Sequence, residues 1–227
     1  MKLISYESGR VIQLWMQEEV RPLKYMYAPE AVLNMRQHFQ FSRVFTDGDL
    51  PEGGKVPNGS TFFRDGRLIL DGRQIIISEL SVHTDGVVLS SATSEDAEFV
   101  LEYALKWTQE ELGMRQMTTP KLRSRHSNVI VEFDKPVDAA IEAFQKIGLV
   151  LSKAWSDVYG ATELFEISRL GFNSDPETKK IKIDHEFVIE RRKGAPYAAN
   201  RFFCAASLPT QRHLSVLTEI EGIIAAS

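Results

Sequence analysis

The sequence predicts an α+β protein in which an antiparallel, meander-rich sheet is covered by helices. Three Asp-Gly pairs, at 65–66, 71–72 and 85–86, separate runs rich in Phe, Ile, Leu and Val, which is typical of consecutive β-hairpins. Residues 180–190 alternate apolar and polar side chains, as a strand with one solvated face does. A regular series of strand, helix and strand, the pattern of a parallel sheet, does not occur.

The chain is long enough to bury a hydrophobic core. Its 227 residues are 43% hydrophobic and 26% charged, an ordinary globular composition that excludes disordered and fibrous proteins. The single cysteine, Cys204, cannot form an internal disulfide and fits a reducing compartment. The sequence is compatible with one domain over 1–227 or with two lobes at 1–113 and 128–227, and no internal repeat is evident in it.

Charge and hydropathy limit the partners of the protein. There are 27 Lys and Arg against 31 Asp and Glu, so the formal net charge is −4 and the protein as a whole does not attract nucleic acid or anionic lipid at long range. No apolar run approaches the roughly 20 residues that cross a bilayer. Residues 1–7 contain an acid where a secretory signal would continue its apolar run. We therefore expect a cytoplasmic protein that does not span a membrane.

The meander is expected in the first half of the chain. A strand is expected at 11–15 and a helix at 28–39, followed by a loop at 47–60 that contains four Gly and two Pro. Because Asp-Gly accepts the positive φ angles of tight hairpin turns, all three Asp-Gly pairs are expected to be turns. The intervening strands are predicted at 62–63, 67–70, 74–83 and 87–90.

The other helices are predicted from the capping residues and glycines at their ends. Helices are expected at 94–112, at 134–148 and from 209 onward, and the first two are expected to end at glycines. Thr93 and Asp96 resemble a capping box at the start of the first of these helices. The remaining strands are predicted at 129–133, 149–153, 163–168, 180–190 and 201–206.

Motifs for familiar catalytic chemistries are absent from the sequence. The five histidines, at positions 38, 83, 126, 185 and 213, do not share the i, i+3 or i, i+4 spacing that presents two rings to a metal from one helix face. There is no nucleophile elbow, phosphate-binding loop or dinucleotide fingerprint. The apolar neighbours of Cys204 are expected to raise the pKa of its thiol and leave it inert. We therefore expect no metal and no cofactor, and the sequence gives no positive sign of enzyme activity.

A basic segment at 190–201 carries the candidate ligand-binding residues. Its guanidinium, ammonium, aromatic and amide groups are suited to grip a phosphate or a carboxylate. These residues are Arg191, Arg192, Lys193, Tyr197, Asn200 and Arg201. His185 and Glu190 are the candidates for a catalytic base beside them. The alternative is a solvated hairpin whose cations face an acidic helix.

The helix expected at 94–112 carries the candidate interface. Residues 95–111 contain six acids and one Lys, a net charge of −5, whereas 114–127 contain four basic residues and no acid. Phe99, Tyr103 and Trp107 recur at i, i+4 and i+8, where they either anchor an interface or widen the buried face. This layout favours a non-catalytic protein-interaction module, as a subunit of a homo-oligomer or a multi-protein assembly. The alternative is an enzyme or binder that acts on a phosphate or nucleic-acid ligand through the 190–201 segment.

Overall fold

The computed structural model describes residues 1–15, 29–46, 59–113, 119–134, 142–159, 163, 167–173, 177 and 186–226. Over these residues it contains an antiparallel sheet of nine strands and four α-helices, which confirms the α+β class. The strands are β1 (Lys2–Leu14), β2 (Arg43–Phe45), β3 (Thr61–Leu70), β4 (Arg73–Val82), β5 (Gly86–Ser91), β6 (Leu122–Glu132), β7 (Arg169–Phe172), β8 (Phe187–Arg191) and β9 (Arg201–Ala206). The helices are α1 (Pro29–His38), α2 (Ser94–Leu112), α3 (Glu142–Tyr159) and α4 (Thr210–Ala226). The strand order in the sheet is β2-β3-β4-β5-β1-β6-β9-β8-β7.

The chain divides into two compact units. The first unit consists of Met1–Glu7, Asn128–Ser207 and Gln211–Ser227, and the second consists of Ser8–Ser127 and Leu208–Thr210. Strands β1 and β6 each contribute residues to both units. Each unit therefore combines segments that are far apart in the sequence.

The order of elements repeats along the described chain, although the sequence has no evident repeat. Each half runs through a strand, a helix, several further strands and a final helix. In the first half the opening strand, β1, lies beside the last strand, β5, and in the second half β6 lies beside β9. The repeat is thus one of topology, and side-chain patterning does not reveal it.

The second unit has its own hydrophobic core beneath α1 and α2. Its fully buried side chains come from both helices and from strands β1, β3, β4 and β5, because apolar residues recur there at the spacing that each element requires. The largest of them are Met35, Phe39, Phe63, Ile77, Leu89 and Leu101. The predicted helix at 28–39 is confirmed as α1.

One of the three Asp-Gly pairs is the turn that the sequence predicts. Asp71 and Gly72 join β3 to β4, with φ angles of 50° and 77°, and both lie in the left-handed region that such hairpins need. The prediction is wrong for Asp65 and Gly66, which lie inside β3. A Cβ on Gly66 would lie 2.4 Å from the ring of Phe41, so this glycine permits close packing and does not form a turn.

In the third pair, Asp85-Gly86, only the aspartate belongs to the loop that the sequence predicts. The loop between β4 and β5 consists of His83, Thr84 and Asp85, and the His83 amide donates to the Gly86 carbonyl at 2.8 Å. Gly86 already belongs to β5, where a Cβ would lie 2.4 Å from the carbonyl oxygen of Gln13. Close approach of two strands, and not a positive φ, requires glycine at this position.

The alternation of buried and exposed side chains shifts by one residue in the middle of the β3–β4 hairpin. Phe63 pairs with Leu80, and Leu68 pairs with Ile75, and all four side chains are buried in the same core. Strict alternation over five residues would place these pairs on opposite faces. Asp65 has a left-handed φ of 54° at the point where the alternation on β3 breaks, while the β3–β4 register stays the same on both sides of it. The extra residue lies on β4, where the β4–β5 register shifts between Ile77 and Glu79.

Helix α2 has the bounds that its sequence predicts. The Thr93 side chain accepts a hydrogen bond from the Asp96 amide at 3.1 Å and caps the first turn. Gly113 ends the helix in the left-handed conformation, with a φ of 63°. These signals lie within a few residues of the ends that they specify, so the sequence alone is sufficient here.

Helix α3 corrects two predictions. It runs without a break through Gly148, which the sequence marks as a helix end, and it includes the predicted strand at 149–153. A glycine inside a helix costs only about 1 kcal/mol relative to alanine, which is too little to end a helix by itself. Residues 135–141, where the helix is predicted to begin, lie outside the described residues.

The first unit is built around β6, β8, β9 and α4. Its buried apolar side chains are Val129, Val131, Phe133, Ile189, Phe202, Cys204 and Leu217. The predicted strand at 201–206 and the helix from 209 onward are confirmed as β9 and α4. The strand predicted at 163–168 is not confirmed, because residues 163, 167 and 168 are outside any strand and 164–166 lie outside the described residues; β7 begins at Arg169. Of the strand predicted at 180–190, residues 187–190 are confirmed in β8, and 180–185 lie outside the described residues.

Candidate functional site

Arg191 is an internal support of the 190–201 segment. It lies at the end of β8 with only 8% of its surface exposed, and its Nη1 donates to the carbonyl oxygen of Tyr197 at 2.8 Å and to Asn200 Oδ1 at 3.4 Å. Its guanidinium also lies over the rings of Tyr197 and Phe202, with distances to the ring centres of 4.7 and 4.8 Å. Arg191, Tyr197 and Asn200 are therefore brought together, in contacts that hold the turn.

The turn itself is held by backbone geometry. Gly194 and Asn200 both adopt left-handed φ angles, of 80° and 48°. A short 3-10 helix over Tyr197–Ala199 lies between them and ends at Asn200. The Arg192 amide donates to the Arg201 carbonyl at 2.9 Å, which closes the base of the turn. Lys193 is exposed at its tip.

The remaining candidates of this segment lie apart from Arg191. The Arg192 side chain lies 3.9 Å from Glu7, and Arg201 Nε donates to Glu132 at 3.0 Å. Arg191 pairs with Phe202 across the strands, so alternation places Arg201 on the opposite face of the sheet. Glu190 also faces away from Arg191, and His185 lies outside the described residues. The described side chains of this segment therefore do not converge on one cleft.

Two of the three candidate interface aromatics of α2 pack against α1. The indole of Trp107 stacks on the ring of His38 with centres 4.2 Å apart, and Tyr103 Oη lies 3.1 Å from His38 Nε2. Burial lowers the pKa of His38 as a result. Tyr103 and Trp107 widen the buried face of the helix, whereas Phe99 is 40% exposed, with the Arg73 guanidinium 5.7 Å from its ring centre.

The acidic face of α2 is partly neutralised within the second unit. Glu98 accepts from Arg125 Nε at 2.9 Å and also binds Arg123, while Arg123 reaches Glu102 at 2.7 Å. The hydrogen bond from Arg125, together with the charges of both arginines, lowers the pKa of Glu98 against the opposing effect of burial. The acidic helix and the 114–127 basic stretch thus meet inside one chain.

Helix α3 presents an exposed face that the sequence does not predict. Leu149 and Val150 are each 67% exposed, and exposed charged residues lie before and after them. At 100° per residue, the positions i, i+3, i+4, i+7, i+8 and i+11 share one side of a helix. The exposed residues at these positions are Lys146, Leu149, Val150, Lys153, Ala154 and Asp157. Ser152, which is buried, lies on the other side.

The α3 face is missed because two local signals mislead. Gly148 resembles a helix end, and the run Leu149-Val150-Leu151 resembles a short strand. The signal that identifies the helix is the spacing of Lys146, Lys153 and Asp157 around this run. This spacing places charges at both ends of an apolar patch only if the backbone is helical.

The described residues contain neither a metal cluster nor a membrane-spanning helix. No group of three or more His, Cys, Asp or Glu side chains among them is arranged to hold a metal ion. None of the described helices has both the length and the apolar character to cross a bilayer. Cys204 is fully buried, and this burial raises the pKa of its thiol to about 12.

No protein-family model matches this chain, and no curated protein matches its sequence significantly.

Proposed function

We propose that this protein is an interaction module that forms a homodimer through the exposed face of α3. The observation that carries the proposal is the exposure of Leu149 and Val150, adjacent aliphatic side chains that each leave 67% of their surface in water. Leu151, which follows them at the edge of this face, is also exposed, at 47%. Contiguous exposed aliphatic residues on a well-formed helix are typical of a surface that another protein covers.

The charges on the α3 face favour a second copy of the same helix as the partner. If two α3 helices pack antiparallel about a twofold axis between residues 151 and 152, Lys146 of one copy faces Asp157 of the other. The same axis places Leu149 opposite Ala154, and Val150 opposite the methylene stem of Lys153. Leu149 then meets a small residue, Val150 meets an apolar stem, and opposite charges meet at both ends, which is the self-complementarity that an isologous interface needs.

The expected dimer is weak. Burying the exposed part of Leu149 and Val150 contributes about 1–2 kcal/mol for each side chain, and four such side chains meet across the axis. The total, roughly 4–8 kcal/mol, is similar to the lower estimates of what association costs in lost translational and rotational freedom. We therefore expect a concentration-dependent equilibrium and not a permanent dimer.

Sedimentation equilibrium of the full chain, from micromolar to near-millimolar concentration, tests the proposal. We expect a monomer–dimer equilibrium that Val150→Glu abolishes. Ile76→Glu is the matched control, because Ile76 is also an exposed aliphatic residue, at 54%, but lies on β4 in the second unit. A chain that is monomeric over the whole range overturns the proposal, and so does a dimer that both variants disrupt equally.

A charge exchange tests the antiparallel arrangement. Asp157→Lys is expected to weaken the dimer by placing like charges opposite each other, and Lys146→Glu is expected to do the same. The two substitutions together restore opposite charges and are expected to restore the dimer. If the double variant is no tighter than either single variant, the α3 helices do not pair in this way.

A further inference from the structure

A cavity in the second unit lies between α1 and the strands β2 and β3. Its volume is about 550 Å³, within the range of about 300–1,000 Å³ that is usual for small-molecule sites. One wall is apolar and is formed by Val32 and Leu33 of α1 with Val44 of β2. It is distinct from the α3 face, which belongs to the first unit.

Another part of the cavity lining carries hydroxyl groups. Thr61 lines it with only 1% of its surface exposed, and its Oγ1 has no hydrogen-bond partner among the described residues. Buried hydroxyls almost always have a partner, because removing one from water without replacing its hydrogen bond costs free energy. Thr61 also lines the cavity, so a polar group bound there can supply the missing partner if the hydroxyl turns toward it.

A second hydroxyl beside Thr61 is held in a fixed orientation. Ser60 Oγ lies 3.0 Å from His83 Nδ1, and His83 Nε2 lies 3.2 Å from Ser81 Oγ. Burial lowers the pKa of His83, which keeps the imidazole neutral and able to accept through one nitrogen and donate through the other. The Ser60 hydroxyl, which also lines the cavity, retains lone pairs for a further hydrogen bond.

Among the described residues that line the cavity, Arg36 of α1 carries a charge. Its Nε and Nη2 donate to the carbonyl oxygens of Phe41 and Ser42 at 3.3 and 3.4 Å, which are long hydrogen bonds. A guanidinium has five N–H donors, so Arg36 retains the capacity to bind an anion. A positive charge at the edge of an apolar cavity selects a ligand with a negative end.

We propose that this cavity binds a small monocarboxylate with an apolar body. The aliphatic or aromatic body packs between Val32, Leu33 and Val44. The carboxylate accepts hydrogen bonds from the Thr61 hydroxyl and from the Arg36 guanidinium. The site requires no residue of the α3 face, so it can be present whether or not the chain dimerises.

Titration calorimetry with octanoate as the probe tests this proposal on the full chain. We expect saturable binding, with octan-1-ol much weaker because it lacks the charge that Arg36 recognises. Arg36→Gln is expected to lower the affinity for octanoate about tenfold, the loss of one charge-assisted contact. Arg43→Gln is the control, because Arg43 pairs with Asp65 at 2.7 Å and does not line the cavity.

Thr61→Val gives the sharper result, since it removes the hydroxyl and keeps the shape. We expect this variant to bind octanoate more weakly. It should nevertheless unfold at an equal or higher urea concentration, because the substitution removes a buried hydroxyl that has no hydrogen-bond partner in the folded protein. A purely structural threonine would lower the unfolding midpoint instead. The proposal is overturned if octanoate does not bind, or if it binds to Arg36→Gln and Thr61→Val as tightly as to the natural chain.

Discussion

Ser94 and Thr210, which are 116 positions apart, bind each other at the first residues of α2 and α4. The Ser94 amide donates to Thr210 Oγ1 at 2.9 Å, and the Thr210 amide donates to Ser94 Oγ at 2.7 Å. The two hydroxyls are 3.0 Å apart, and both residues are almost fully buried. Each side chain thus provides a partner for an amide that the start of a helix leaves without one.

Substituting either residue of this pair should destabilise the protein. Ser94→Ala and Thr210→Val are each expected to lower the free energy of unfolding by about 1–2 kcal/mol, because a buried amide loses its acceptor. The double variant should lose less than the sum, since each single change already breaks the pair. Urea denaturation of the four proteins checks this. Ser215→Ala, at an exposed site on α4, should have little effect, and strictly additive losses would contradict the coupling.

Gly9→Ala should be among the most destabilising substitutions in the chain. A Cβ at this position in β1 would lie 1.9 Å from the carbonyl carbon of Thr93 and 2.0 Å from the amide nitrogen of Ser94, and backbone atoms cannot move aside cheaply. We expect a loss of more than about 3 kcal/mol, or no folding at all.

Gly222→Ala is the matched control for the Gly9 substitution. A Cβ on Gly222 meets nothing within 4 Å, and the residue lies inside α4. Alanine is therefore expected to stabilise the protein by about 0.5–1 kcal/mol through helix propensity. Thermal or urea unfolding of both variants measures the contrast, and equal effects would show that the close approach at Gly9 is unimportant.

The stability that Glu98 provides should disappear in acid. The pKa of Glu98 is lowered in the folded protein, first by the hydrogen bond from Arg125, so its contribution is complete above the unfolded pKa of about 4.3. The contribution is lost as the pH falls from there through the folded pKa. We expect Glu98→Gln to cost about 1–2 kcal/mol near pH 7 and progressively less below pH about 4.

Urea unfolding as a function of pH checks the Glu98 prediction. Glu110→Gln is the control, because Glu110 is 61% exposed and its contact with Lys106 is 3.8 Å long. An exposed pair of this kind contributes little at any pH. A difference between the natural chain and Glu98→Gln that stays constant down to pH about 2 would contradict the account of the lowered pKa.

The Cys204 thiol should be unreactive in the folded protein. Its raised pKa, about 12, leaves almost no thiolate at pH 8, and its burial excludes the reagent. Labelling with a disulfide reagent should therefore proceed only as fast as the protein unfolds, and should be immediate in denaturant. Lys193→Cys, at an exposed position in the 190–201 turn, should label at once under native conditions. Rapid native labelling of Cys204 would show that its surroundings open readily.

The sequence predicts best those elements whose signals are local. Helix α2 is bounded by Thr93 and Gly113, and the Asp71-Gly72 turn carries its own backbone preference, so neither depends on distant residues. Asp65-Gly66 has the same residue types as Asp71-Gly72. Its conformation is decided by Phe41, which packs where a Cβ would lie, and this contact is made only in the folded chain.

The candidate site is harder to predict, because the type of a residue does not determine the direction of its side chain in the folded protein. Arg191 has the composition of an anion-binding residue, and in the fold it supports a turn between Tyr197 and Phe202. The exposed face of α3 and the lining of the cavity by Thr61 depend on which positions remain uncovered after packing. Exposure of this kind is determined by the whole fold, so the local sequence predicts it only weakly.

The division of β1 between the two units has a consequence for synthesis on the ribosome. Its residues up to Glu7 are made before every other segment of their unit, since those segments begin at Asn128 and continue through Ser227. These residues must wait for those segments before they can pack, whereas most of the other unit is already complete by Ser127. Nascent chains stalled near residue 127 would carry the first half of β1 without the rest of its unit, and strands left uncovered in this way are open to pairing with neighbouring molecules.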